Sequence, residues 1–170
     1  VKASGIGLVA ALGLAAGLAA VSASAAPGKG PVTGFDMPRY VSLKTDRANV
    51  RRGPALEHRV DWEFLRRDMP LRVVAEHGSW RRVQDMDDVS GWVHSALLSG
   101  RRTVIVTKGP ESVLHKDADP TSPPVARIEQ GVILTLQICR PTWCLLETDN
   151  HEGWMPKVDL WGVDANETFE

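Results

Sequence analysis

LRVVAEHGSW, residues 71–80, and LTLQICRPTW, residues 134–143, are two versions of one segment. Each opens on Leu, alternates apolar side chains, passes through a turn and ends on Trp at the same distance. The second lies 63 positions after the first, and the match extends backwards without a gap: Leu65 falls on Ile128, Met69 on Val132 and Val50 on Val113. Forwards, one residue is lost in the next turn, after which GWVHSALL (91–98) falls on GWMPKVDL (153–160). Self-similarity of this kind marks a duplicated structural unit, here of about 60 residues.

Within each copy the period is two. Leu71, Val73 and Ala75 alternate with Arg72, Val74 and Glu76, as Leu134, Leu136 and Ile138 alternate with their neighbours, the pattern of half-buried strands. Strict alternation sends Glu76 and Cys139 to the face opposite those apolar residues. His77-Gly78-Ser79 is a turn, Trp80–Val83 the returning strand, Asp85–Ser90 a polar turn, and Gly91-Trp92-Val93 opens the next strand. Helical periodicity is not sustained anywhere past the leader. The fold class is therefore all-β, two tandem small barrels, since closure removes exposed sheet edges. Arg-Arg pairs at 51–52, 66–67, 81–82 and 101–102 send one Arg to each sheet face, which accounts for much of the first unit's positive charge. Barrels this small bury only about 60% of their unfolded surface, so mutual packing or a cross-link is expected to support them.

The boundaries follow. Residues 1–25 read as a signal peptide: Lys2, an apolar Ala/Gly-rich stretch from Gly5 to Val21, and an Ala23-Ser24-Ala25 cleavage site. The stretch is short for a permanent anchor, and no other segment could span a membrane after cleavage. Residues 26–39 are a linker, 40–102 the first module, 103–163 a diverged second module and 164–170 a tail. The location is periplasmic or secreted. The net charge of -1 conceals a contrast: residues 40–102 hold 12 Lys/Arg and 9 Asp/Glu, a net of +3, whereas 103–170 hold 5 and 11, a net of -6. Neither value suits a nucleic-acid partner, and the split favours two units with different surfaces.

Two cysteines, Cys139 and Cys144, flank Arg-Pro-Thr-Trp. In an oxidising compartment so close a pair is expected as a disulfide across a hairpin loop. The alternatives are a metal site, for which no patterned His pair exists, and a reactive thiol. The first unit carries Glu76 and Arg81 at the equivalent places, an opposite-charge pair across the same turn.

Leu43–Pro54 (LKTDRANVRRGP), Trp80-Arg81-Arg82-Val83 and Gly91-Trp92-Val93 together resemble the bacterial SH3-like domains of exported proteins. An Asn-Val-Arg-x-Gly-Pro opening, a Trp three before a Val, and a closing Gly-Trp-Val are their pattern. The second unit keeps Trp143 and Gly153-Trp154-Met155 but has Ser112-Val113-Leu114-His115 in place of the opening. The resemblance spans roughly 40–163 and is particularly close to two-module exported proteins of Gram-negative bacteria. It implies SH3-like barrels and marks Trp80, Trp143, Asn49 and Arg51 as ligand-binding candidates. Trp92 and Trp154 are expected to be packing residues, and Trp62 and Trp161, which lack counterparts, to lie at the contact between units.

Tyrosine-lined polyproline recognition does not fit a chain with one Tyr, Tyr40. Cys144 and His151 could imitate a thiol–imidazole pair, but a second Cys lies beside the first. His58, His77, His94 and His115 show no ligand spacing, and Asp85, Asp87 and Asp88 read as a solvated turn. No catalytic residue, cofactor or metal is expected. The resemblance implies non-catalytic recognition of peptidoglycan or its stem peptides; the alternative is an envelope protein–protein adaptor.

Overall fold

The computed structural model describes residues 28–170, so the signal peptide read at 1–25 lies outside the described residues. A short hairpin of β1 (Gly28–Lys29) and β2 (Asp36–Met37) comes first, within the stretch read as a linker. Module 1 contains β3 (Arg39–Leu43), β4 (Ala48–Arg51), β5 (Val60–Phe64), β6 (Pro70–His77), β7 (Trp80–Gln84), β8 (Ser90–His94), a 3-10 turn (Ser95–Leu97) and β9 (Leu98–Ser99). Module 2 repeats this with β10 (Thr103–Val106), β11 (Glu111–His115), β12 (Pro124–Glu129), β13 (Ile133–Cys139), β14 (Trp143–Glu147), β15 (Glu152–Pro156), a 3-10 turn (Lys157–Asp159) and β16 (Leu160–Trp161). The sheet orders are β5-β4-β8-β7-β6-β3-β9 and β12-β11-β15-β14-β13-β10-β16, one topology used twice. Among the described residues, no helix is long and apolar enough to cross a membrane.

Each sheet curls around its own core. Leu43, Val50, Phe64, Leu71, Val73, Val83 and Val93 fill the first. Val104, Val106, Leu114, Ile128, Leu134, Leu136, Leu146 and Met155 fill the second. Glycine opens the Gly-Trp motif in both for one steric reason. A Cβ on Gly91 would run into the Val50 side chain, and one on Gly153 would sit 2.9 Å from the His115 backbone oxygen. Only a bare backbone lets β8 and β15 cross β4 and β11 so closely.

The gapless backward alignment fails by one residue in β4 and β5. Arg51 pairs with Trp92 and His115 with Trp154, which equates Val50 with Leu114 rather than Val113. Ala48 pairs with Phe64 and Ser112 with Ile128, so Phe64, not Leu65, is the counterpart of Ile128. Burial agrees: Leu65 is 63% exposed, whereas Phe64 is buried. One extra residue before β11 and one fewer before β13 restore the spacing.

A second correction concerns faces. The register shifts between Val73 and Ala75 in β6 and between Leu136 and Ile138 in β13. One extra residue in each long strand lets it bend around the barrel and reverses the alternation beyond that point. Glu76 and Cys139 therefore turn inward, onto the face of Leu71 and Leu134, and both are buried. Cys139 and Cys144 are directly opposed, 4.2 Å apart at Cα, and form a disulfide.

The charged counterpart is elaborate. The Glu76 carboxylate accepts from Val32 N (3.1 Å), Thr33 N (3.0 Å) and Thr33 Oγ1 (2.7 Å), and pairs with Arg39 Nη2 at 2.7 Å and Arg81 Nε at 3.5 Å. Burial pushes its pKa up, but the hydrogen bonds from Thr33, Arg39 and Val32 outweigh that and hold it at about 2. The stretch read as a tail also adds to the fold. Phe169 exchanges backbone hydrogen bonds with Cys139 (2.7 and 3.1 Å) and packs on the second core.

The modules touch along one seam. Thr103 Oγ1 donates to Asp68 O (2.7 Å), Arg66 Nη1 to Gly131 O (2.7 Å), and Tyr40 meets Trp161 edge to face at 5.4 Å. Burial first, then Asp164, pushes the Tyr40 hydroxyl up to about 12. Trp161 thus lies at the contact, as expected. Trp62 does not: it packs against Phe64 inside module 1, 6.4 Å between ring centres.

Candidate functional site

Three of the four candidate residues converge in module 1. A groove of about 270 Å³ is lined by Arg47, Asn49, Arg51, Leu56, Glu63, Trp80, His94 and Leu97. β4 supplies Asn49 and Arg51, β5 supplies Glu63, and β7 begins on Trp80. Position 49 follows buried Ala48 and precedes buried Val50, so alternation turns Asn49 outward into the groove. Trp80 is half-buried, its ring edge to face with His94 at 5.3 Å.

Arg51 has an internal task. Its Nη1 donates to Leu56 O (2.8 Å) and His58 O (2.7 Å), tying the long β4–β5 loop back onto β4 and fixing the guanidinium at the groove. Leu56 is held in that loop yet is 70% exposed, an apolar lip over the groove. Arg47, Leu56, Glu63 and His94 were not legible as site residues, because they come from separate elements and no local motif joins them.

Trp143, the fourth candidate, stands in the equivalent place on module 2 against a different neighbour. Trp80 pairs with His94 across β7 and β8, whereas Trp143 pairs with Pro156 across β14 and β15. Its edge-to-face partner is instead His115, at 5.6 Å, the counterpart of Arg51. His115 Nδ1 lies 2.9 Å from Ser122 O, tying the second long loop as Arg51 ties the first. Trp92 and Trp154 are half-buried strand residues, and the Arg140 guanidinium stacks 4.5 Å from the Trp154 ring. Among the described residues, no three His, Cys, Asp or Glu side chains come together as a metal site.

Residues 44–100 and 108–162 each match the family model described as Bacterial SH3 domain. The chain belongs to the bacterial SH3 family. Each match covers one seven-stranded sheet except its first strand, β3 and β10 lying just before the matched residues. Solved structures similar to this one include NlpC2 from Trichomonas vaginalis, at 10% identity and a TM-score of 0.34, covering 74% of this chain and 48% of that one. A NlpC/P60 family protein from Bacillus cereus is similar at 13% identity and a TM-score of 0.33, covering 72% and 55%. The present chain thus spans about half the length of these proteins. No curated protein matches it.

Proposed function

We propose that this protein is a non-catalytic recognition module of the cell envelope, exported to the periplasm or beyond, and that the Trp80 groove of its first SH3 domain binds peptidoglycan through the stem peptides. The carrying observation is the groove: a half-buried indole, an exposed Leu lip and both signs of charge around a cleft suited to a short peptide. Export is supported by the leader-like sequence of residues 1–25 and by the Cys139–Cys144 disulfide. The disulfide also removes the Cys144 thiolate that a thiol–imidazole mechanism would require.

The test is retention on purified peptidoglycan, with and without about 1 M salt, at which the Debye length falls to about 3 Å. Retention at high salt and its loss in a folded Trp80→Ala variant support the reading; an aromatic anchor that the ligand covers supplies about 2 kcal/mol, roughly 30-fold in affinity. Unchanged retention of Trp80→Ala would remove the groove from consideration. The adaptor reading is favoured by one observation, the net charges of +3 and -6 on the two halves. It predicts capture of an envelope protein that salt abolishes.

A further inference from the structure

The duplication supplies an internal control for the groove. Strand register equates Asn49 opposite Glu63 with Val113 opposite Arg127, so Glu63 and Arg127 share a position. Arg47 and Glu111 share another, immediately before the paired Ala48 and Ser112. Leu97 and Asp159 share a third, each ending its 3-10 turn. Positions 47 and 63 have thus exchanged sign between the copies, while Arg51 has His115 as its counterpart.

The copies differ in what those charges do. In module 2, Arg127 Nη1 lies 2.5 Å from Glu111 Oε1. Asp159, which replaces the apolar Leu97, accepts from Ser112 Oγ at 2.5 Å and from Lys108 Nζ at 3.3 Å. The acidic and basic side chains of that face satisfy one another. In module 1, among the described residues, Arg47 and Glu63 form no ion pair with each other or with any other residue, although both line the same cleft. Arg51, anchored through Nη1 alone, adds a second fixed cation.

A cation and an anion left open on the walls of one cleft, above an indole and a Leu, complement a ligand that carries the opposite pair. We infer that the module 1 groove selects a dipolar peptide segment, one with an amine and a carboxylate separated by a short aliphatic stem. The amine meets Glu63, the carboxylate meets Arg47 and Arg51, and the stem lies on Trp80. This rests on the binding reading and adds the chemical class of ligand. At about 270 Å³ the cleft suits a small segment and not a folded partner. The face around Trp143 offers no such pair, so of the two equivalent faces among the described residues only that of module 1 is a groove of this kind.

N-acetyl-alanyl-lysine, which has one amine and one carboxylate, is the probe. Its two controls are capped at the amine by acetylation or at the carboxylate by amidation. Two-dimensional NMR of the isotope-labelled protein reads the indole N–H resonances. The Trp80 resonance should move with the uncapped peptide, and Trp143 should not. Each cap should weaken binding about fivefold, the upper end for an exposed ion pair. Glu63→Gln should make the amine cap irrelevant, and Arg47→Gln should reduce the effect of the carboxylate cap, Arg51 remaining in place; both substituted positions are exposed, and an otherwise superimposable spectrum verifies folding. Equal affinity for all three peptides, no movement of Trp80, or equal movement of Trp143 would overturn the proposal. Retention on peptidoglycan distinguishes the two levels. Trp80-dependent retention with cap-insensitive peptides defeats only the dipolar ligand, whereas cap-sensitive peptides without retention defeat only the cell-wall reading.

Discussion

Glu76 in module 1 and Cys139 in module 2 occupy one position of the same barrel, each facing a partner on the returning strand, Arg81 or Cys144. Each is also covered by a flanking segment: the backbone of Val32 and Thr33 lies on Glu76, and Phe169 pairs with Cys139. One copy closes this seam with a covalent bond and a strand-like contact. The other closes it with a desolvated carboxylate, two arginines and three hydrogen bonds from the β1–β2 hairpin. What the duplicates share is a bulged strand that turns a residue inward at the barrel's end and so requires a partner there. The chemistry of that partner is free to differ. The two solutions also differ in what can undo them: protons act on the first module, reductant on the second.

The largest expected effect is on Glu76→Ala. It leaves Arg39 and Arg81 facing each other without a counter-ion and should cost module 1 about 3–5 kcal/mol in a urea titration. A loss below about 1 kcal/mol would show that the hairpin and arginines hold without the carboxylate. Acid should act in the same place. The Glu76 pKa falls from its ordinary value of 4.5 to about 2 on folding. Its stabilisation is therefore complete above pH 4.5 and is lost as pH falls towards 2. Glu167 is lowered as well: burial opposes the shift, and its bonds to Arg102 and Asp164 N outweigh it. The useful reading is thus a difference, in which Glu76→Gln flattens the acid limb of module 1 and leaves that of module 2 in place.

Reduction of Cys139–Cys144 comes next, at about 2 kcal/mol on module 2, because a separation of 5 residues closes little chain. The loss should be independent of salt and pH between 5 and 7, unlike that at Glu76. Thiols of protein purified without reductant that alkylate freely would contradict the bond. The smallest effect is expected for Tyr40→Phe, which removes a bond to Asp164 Oδ1 of 3.4 Å while keeping the ring against Trp161. It should cost below about 1 kcal/mol, and a larger loss would place more of the inter-module adhesion in that hydroxyl.

The repeat was legible because Trp and Gly-Trp sit where the backbone leaves no choice, above all at Gly91 and Gly153. The all-β class followed from alternation. The alternation then misled beyond Val73 and Leu136, since a bulge leaves no mark in composition and simply inverts the faces past it. The one-residue slip in β4 and β5 escaped for a related reason. Val113 and Leu114 are adjacent apolar residues, and only pairing with Trp154 decides which one matches Val50. In the groove, Asn49, Arg51 and Trp80 were readable from the family pattern. Glu63 and Arg47 become informative only when set against Arg127 and Glu111, and that comparison needs the corrected register.

In both barrels the first strand is paired with the last. β3 hydrogen-bonds to β9, and β10 to β16, so Leu43 waits for Leu98 and Val106 for Leu160. Contacts this distant along the chain slow folding and make closure a late event. If the chain is exported unfolded from its N-terminal side, in keeping with the proposed function, this sets a schedule. Module 1 can close once residue 99 has emerged and can then offer Asp68 and Tyr40 as a docking face. Module 2 has to keep its core open until residue 161 arrives. During that interval Cys139 and Cys144 are neighbours on a hairpin that can already form, accessible to an oxidant before the barrel shuts around them.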